Sequence, residues 1–311
     1  MRAALIYNPA AGKARAGAVA AAAEKNLVRR GIQVELCATR HPKDAVSIAR
    51  RLVAEVDVVV AIGGDGTVNE VVNGMAVPGA RSVEDDTVPG QEPVRPGRPR
   101  ARLAIVPAGT VNVLALELGL PFAVDRACEV IAAGRTTALD VGRVNGRGFV
   151  LMMGAGIDAL TVRNVDARAK RRYRELAFVA TGLRHGFAHR PPVFLVRAGG
   201  REYRSTFFVA GNSRYYAGRL GITPKADPSD GLLDLMLFSG TSRPSLAVLW
   251  LGIPGGLHLR NPDVTYLRSE AAELLPLEDE GVVWFQTDGE LAGRLPAAVH
   301  VDRHALEVLV P

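Results

Sequence analysis

Two rhythms of apolar residues divide the chain. Through Gly74, short apolar runs alternate with longer stretches of helical period. "AALIYN" predicts a strand. "AGAVAAAAEKNLVRRG" follows with Val19, Ala23 and Leu27 at helical spacing and Gly31 as a stop. "IQVELCA" predicts a second strand, and "PKDAVSIARRLVAEV" a helix with Ala45, Ile48 and Leu52 on one face. "DVVVAIG" is so uniformly apolar that both its faces must be covered, as in a parallel sheet. This alternation predicts an α/β layered domain with right-handed crossovers. Residues 78–101, rich in Pro, Gly and charge, predict a surface loop. "RLAIVPAG" resumes as a strand, and "TVNVLALELG" and "VDRACEVIAAG" predict helices.

From about Thr136 the rhythm changes. "TTALDVGRV", "GFVLMM", "PVFLVRAG", "YRSTFFVAG", "LLDLMLF", "DVTYLRS", "VVWFQT" and "ALEVLV" predict short strands in series, hence an antiparallel, sandwich-like second domain. The expected division is 1–134, α/β, and 135–311, β-rich, with the extreme C-terminus free to return to the first domain. The longest apolar stretch, "AVLWLGIPGGLHL", is too short and too rich in Pro and Gly to span a bilayer, so a buried segment is expected.

Composition narrows the function classes. The N-terminus lacks a long apolar h-region, which argues against secretion and for the cytoplasm. Cys37 and Cys128 are far apart and expected to be buried, reduced thiols. The six histidines are scattered along the chain with no accompanying cysteine cluster, so zinc has little support. A net charge of +6 suits anionic lipid surfaces, nucleotides or nucleic acid.

Chemistry gathers in a few loops. In "AIGGDGTVNEVVNG", Gly63, Gly64 and Gly66 permit close backbone approach, and helix N-terminal amides beside them make a natural anion site. Thr67 and Glu70 have capping-box spacing. Asp65 repels a phosphate unless a cation lies between them, which points to Mg²⁺-nucleotide chemistry; a plain strand–turn–helix junction is the alternative. "IVPAGTVNVLALELG" repeats the arrangement with Thr110 as an expected N-cap, and "YNPAAGK" leaves the first strand at the same sheet edge. Gly154, Gly156 and Ala159 match a dinucleotide fingerprint without its βαβ context. Asp227 and Asp230 are either turn residues or a Mg²⁺ loop. Asp288 and Glu290 of "TDGE" are either a hairpin turn or a carboxylate base for a substrate hydroxyl. "RAKRRYRELAF", with five basic residues in its first seven, suits either a solvated face or docking on anionic lipid. Low aromatic content and the absence of a recognised motif argue against nucleic acid.

Taken in order, "NPAAGK", "GGDGTVNEVVNG", "PAGTVNVLALELG", "GAGIDA", "DPSDGLLDL" and "TDGE" resemble the bacterial diacylglycerol-kinase-like lipid kinases, relatives of sphingosine, ceramide and NAD kinases. The resemblance implies an α/β nucleotide-binding domain with a parallel sheet, a β-rich antiparallel sandwich-like domain, and an active site in the interdomain cleft. It implies ATP contacts at Asn8, Pro9, Ala10, Ala11 and Gly12, at Thr39, at Gly63, Gly64, Asp65, Gly66, Thr67, Val68, Asn69 and Glu70, and at Thr110. It implies Mg²⁺ at Asp227 and Asp230 with the Leu232 backbone oxygen, Asp65 acting near the transferring group, and Glu290 or Asp288 as proton acceptor. Val113 stands where many relatives carry Asp; the sphingosine-kinase-like branch accepts an apolar residue there. The expected partners are a lipid substrate and an anionic membrane surface touched peripherally, with a homodimer left open. A soluble-substrate NAD kinase and a non-catalytic lipid-binding or regulatory protein are the competing classes.

Overall fold

The computed structural model describes residues 1–9, 15–76, 101–164, 191–216 and 218–311. Ala10, Ala11 and Gly12, the 78–100 stretch and the basic 168–178 stretch lie outside the described residues. The chain forms two compact units, residues 1–139 with 304–311, and residues 140–303.

The first unit is layered. Strands β1 (Arg2–Tyr7), β2 (Gln33–Ala38), β3 (Val58–Gly63) and β4 (Arg102–Pro107) alternate with helices α1 (Arg15–Arg29), α2 (Asp44–Leu52), α3 (Asp65–Met75), α4 (Val113–Glu117) and α5 (Val124–Ala133). The strands are parallel in the order β2-β1-β3-β4. Every residue of β3 is buried, as its apolar run required. Ala20, Ala23 and Leu27 of α1 and Cys128 and Ile131 of α5 pack against Leu5, Val60 and Ile62 in one core. Burial pushes the thiols of Cys37 and Cys128 up to about 11, and neither is in a disulfide.

The second unit is a sandwich. It contains most of β5 (Thr136–Val144), then β6 (Arg147–Phe149), β7 (Met152–Gly156), α6 (Ile157–Asn164), β8 (Phe194–Ala198), β9 (Arg201–Ser205), β10 (Phe207–Gly211), β11 (Tyr215–Tyr216), β12 (Leu220–Gly221), β13 (Leu233–Phe238), α7 (Arg243–Gly252), β14 (Val264–Ser269), β15 (Ala271–Pro276), β16 (Trp284–Thr287) and β17 (Glu290–Arg294). One layer has the order β14-β13-β10-β7-β16-β17, all antiparallel. The other contains β15, β8 and β9 with the first half of β18 (Ala297–Leu309). Phe149, Phe194, Phe208, Leu235 and Phe285 fill the space between. In the first unit, Val308 near the end of β18 pairs with Leu103 of β4.

Four local expectations fail, each for a traceable reason. "GFVLMM" is two strands, because the amides of Val150, Leu151 and Met152 turn away to a distant carboxylate. "YRSTFFVAG" splits into β9 and β10 at Thr206, whose buried hydroxyl satisfies the carbonyls of Phe238 and Gly240 at 3.2 and 3.0 Å. The Thr67–Glu70 capping box does not form: α3 starts at Asp65, and Glu70 Oε1 accepts from the Lys43 amide at 3.1 Å. Thr110 does not cap α4; Asn112 occupies the N-cap position at φ 56° without capping the helix, its side chain bonded both ways to the Gly109 backbone at 3.0 Å.

Candidate functional site

Parallel strands all point their C-terminal ends one way, so the loops leaving them share one edge. Tyr7 is level with Ala38 and Ile62, and Gly63 with Pro107. Asn8, Thr39, Gly64 and Ala108 therefore begin four neighbouring loops. With the order β2-β1-β3-β4, the chain leaves β1 in opposite directions at the β1/β3 boundary, the position where open α/β sheets bind ligands. Asn8 and Pro9 lie on one side of that boundary and Gly64–Asp65 on the other. Thr39 is tied to it by its amide, 2.9 Å from the Tyr7 carbonyl.

The two glycine loops touch. The amides of Ala108 and Gly109 donate to the Gly63 carbonyl at 2.9 and 3.2 Å. A Cβ at Gly109 would collide with Gly64 Cα, and one at Gly64 would lie 3.2 Å from Gly109 Cα. The approach requires glycine at 109, and a side chain at 64 would push the loops apart by a few tenths of an ångström. Asp65 opens α3, where the helix dipole favours a carboxylate, and accepts from the Leu114 amide at 3.4 Å. Gly66, Thr67, Val68, Asn69 and Glu70 continue along the first turns of α3. Val68 and Asn69 are buried and hold the helix in place; Thr110 is exposed at the rim. Val113 is buried beneath the second loop.

The second unit holds the other candidates. Asp288 and Gly289 have φ of 48° and 83°, as a type I′ hairpin turn between β16 and β17 requires. The Asp288 carboxylate accepts from the amides of Val150, Leu151 and Met152 at 2.9, 2.9 and 3.0 Å. Its lone pairs are spent on holding β7 to the hairpin. Glu290 faces outward and pairs with Arg147 at 2.8 Å. The two carboxylates of "TDGE" thus differ in kind: one is an anchor held by three amides, the other an exposed member of an ion pair.

Asp227, Asp230 and Leu232 share the turn before β13. The Asp227 Oδ1 accepts from Ser229, and the Asp230 Oδ1 from the Leu232 amide at 3.0 Å. Buried Asp140 ties this turn down through the Gly231 amide at 2.6 Å. The donors are hard oxygens, which suits Mg²⁺. The cation that Asp230 holds is the guanidinium of Arg268, which also reaches Asp234 at 3.5 Å. No group of three or more His, Cys, Asp or Glu gathers as a metal cage among the described residues.

Sequence reasoning missed the buried network behind the hairpin. Asp158 is fully buried at the start of α6. It accepts from the Tyr216 hydroxyl at 2.6 Å and from Gln286 Nε2 at 2.8 Å, and Gln286 Oε1 accepts from the Gly289 amide at 2.7 Å. One signal was present. A Cβ at Gly154 would strike the Asp158 carboxylate, so the first glycine of "GAGIDA" makes room for an acid rather than a dinucleotide. Burial pushes the Asp158 carboxyl up to about 6, against the two hydrogen bonds that pull it down. The folded state therefore holds this proton more tightly than the unfolded chain. Its stabilising contribution is full below about pH 4 and lost as pH rises through about 6, an interval worth about 3 kcal/mol. Asp158→Asn, neutral throughout, is expected to flatten the fall of the urea midpoint between pH 4 and 7; an unchanged fall would assign it to other groups.

An α/β unit whose glycine loops meet at the sheet's ligand edge, beside a helix N-terminus, defines the class of proteins that bind anionic ligands such as nucleotide phosphates. Comparison with known proteins narrows this class. Residues 2–144 match the diacylglycerol kinase catalytic domain, and residues 152–310 the YegS C-terminal NAD kinase beta sandwich-like domain. The chain belongs to the diacylglycerol-kinase-like family of lipid kinases that joins these two domains. Diacylglycerol kinases of Staphylococcus aureus and Staphylococcus epidermidis are 28% and 29% identical to it, over 100% of this chain and 92% of theirs. Crystal structures of Bacillus anthracis proteins regarded as diacylglycerol kinases superpose with TM-scores of 0.77 and 0.70 at 22% and 18% identity. They cover 100% of this chain and 95% and 97% of theirs, and show that the fold is shared.

Proposed function

We propose that this lipid kinase moves the γ-phosphoryl group of ATP to the hydroxyl of a diacylglycerol- or sphingosine-like lipid. The observation that carries the reading is the glycine-on-glycine contact of Gly64 and Gly109. It brings two loops and a helix N-terminus to one sheet edge, where backbone amides can cradle phosphates. Asn8 to Gly12, Thr39, Gly63 to Glu70 and Thr110 form the proposed nucleotide site. Mg²⁺ supplies neutralising charge to the phosphates when bound. The residues proposed to hold it are Asp227, Asp230 and the Leu232 carbonyl in the second unit, and Asp65 is the acid proposed to act at the nucleotide site in the first. Glu290 accepts the proton of the lipid hydroxyl, and Asp288 keeps its turn in place. Positioning and charge stabilisation dominate such transfers.

The acceptor lives in a bilayer, and no described helix is long and apolar enough to cross one. The reaction is therefore proposed to occur peripherally, on a cytoplasmic membrane surface. Incubation with γ-labelled ATP and Mg²⁺ against diacylglycerol, monoacylglycerol, ceramide, sphingosine and NAD tests the proposal. Label is expected in a lipid and not in NAD. Transfer to NAD alone would replace the lipid acceptor with a soluble one.

A further inference from the structure

The apolar stretch "AVLWLGIPGGLHL" is not simply buried. It forms α7 and a 3₁₀ turn at Leu257–Arg260, and its apolar residues divide between two faces. Leu246, Leu249 and Trp250 face inward, Trp250 meeting Phe207 edge-on at 5.6 Å. Pro244, Val248 and Leu251 fall at i, i+4 and i+7 on the opposite face. Val248 is 55% exposed, Leu251 66% and the following Leu257 54%. Of the nine large apolar side chains exposed among the described residues, three lie in these ten positions. A helix apolar on both faces is ordinarily buried all round; this one is not.

The patch is held rigidly. Ser242 caps α7 by accepting from the Ser245 amide. The 3₁₀ turn folds back so tightly that a Cβ at Gly252 would lie 2.8 Å from the His258 amide nitrogen. His258 Nε2 lies 3.0 Å from the Ile222 carbonyl, clamping the turn to the sandwich. Charge along the segment itself has one sign. No acid occurs from Leu235 to Pro262, while Arg243 and Arg260 are exposed at its two ends. Asp263, the next acid, is engaged by Ser245 Oγ.

We propose that α7 and the Leu257–Arg260 turn form a docking surface for an anionic lipid bilayer. Val248, Leu251 and Leu257 enter the acyl boundary, and Arg243 and Arg260 meet the headgroups. Three exposed side chains fall well short of the roughly 1,200–2,000 Å² that a stable protein interface buries. They suit reversible insertion, where apolar area and basic charge add. The inference rests on the lipid-acceptor reading, because it gives the kinase a way to reach a substrate that stays in the membrane.

The test uses the full chain, the Val248→Glu/Leu251→Glu double variant and the Arg243→Ala/Arg260→Ala double variant. Both leave the basic 168–178 stretch intact. Sedimentation with vesicles of mixed phosphatidylcholine and phosphatidylglycerol reads binding. Each methylene withdrawn from water is worth roughly fourfold in partitioning, so the acidic variant is expected to bind at least about tenfold more weakly. The arginine variant is expected to lose its preference for anionic over neutral vesicles. Phosphorylation of a short-chain, water-soluble diacylglycerol is expected to be unchanged in both, while phosphorylation of vesicle-embedded diacylglycerol falls. Wild-type vesicle binding by both variants would overturn the proposal. So would a wild-type dimer that the acidic variant converts to monomer without loss of vesicle binding, since the patch would then cover a second copy. If the wild-type protein phosphorylates no lipid in either form, the acceptor reading fails, and sedimentation still decides the surface.

Discussion

Glu290→Gln is expected to lower kcat about 10²- to 10⁴-fold, the usual worth of a positioned general base, with no change in the unfolding midpoint. Asp288→Asn is expected to do the reverse. The glutamine keeps the shape of an outward side chain and removes its charge and its capacity to take a proton; the exposed ion pair lost with Arg147 contributes little to stability. The asparagine tolerates the φ of 48° at the turn, but turns an NH₂ toward amides that had a carboxylate oxygen. At least one of the Val150, Leu151 and Met152 amides then loses its acceptor, at about 1–3 kcal/mol. Thermal melts and steady-state rates on the two variants separate these outcomes. An active Glu290→Gln enzyme would remove Glu290 from the chemistry. A fully stable Asp288→Asn protein would show that the three amides find other partners.

That contrast marks how far the sequence could be read. "DVVVAIG" and "GGDG" declare a buried strand and a tight turn because both signals are local: apolar continuity and missing Cβ atoms. The same is true of the Asp-Gly hairpin. The sequence left Asp288 and Glu290 equivalent because the difference between them lies in the partner. The amides that engage Asp288 are 136 to 138 residues away. Asp158, Tyr216 and Gln286 were invisible for the same reason, separated by 58 and 128 residues and joined only by the sandwich. Thr67 and Thr110 had the right chemistry for caps, but tertiary contacts moved the helix starts. Contact between Gly64 and Gly109 draws the two loops together, and Asn112 takes the capping position in the second. In "AVLWLGIPGGLHL", composition alone could not say that one face would be left in solvent.

Asp65→Asn should separate binding from turnover in opposite directions. A carboxylate beside the proposed phosphate cradle is unfavourable to a bare nucleotide: two unit charges at contact in water cost about 1 kcal/mol, roughly fivefold in affinity. Removing it is expected to tighten ATP binding in EDTA by about that factor. Turnover with Mg²⁺ is expected to fall about 10²- to 10³-fold, the loss seen when one preorganised electrostatic group is taken from an active site. The fold should tolerate the change. Asparagine retains an oxygen for the Leu114 amide, and the Gly63 carbonyl still receives the amides of Ala108 and Gly109. A carboxylate kept only as a turn residue would predict neither effect. Calorimetric titration with ATP in EDTA, together with kcat at saturating Mg²⁺-ATP, distinguishes the two roles. Equal affinity and equal turnover would return Asp65 to the role of a helix-start residue and move the cation's partner elsewhere on the sheet edge.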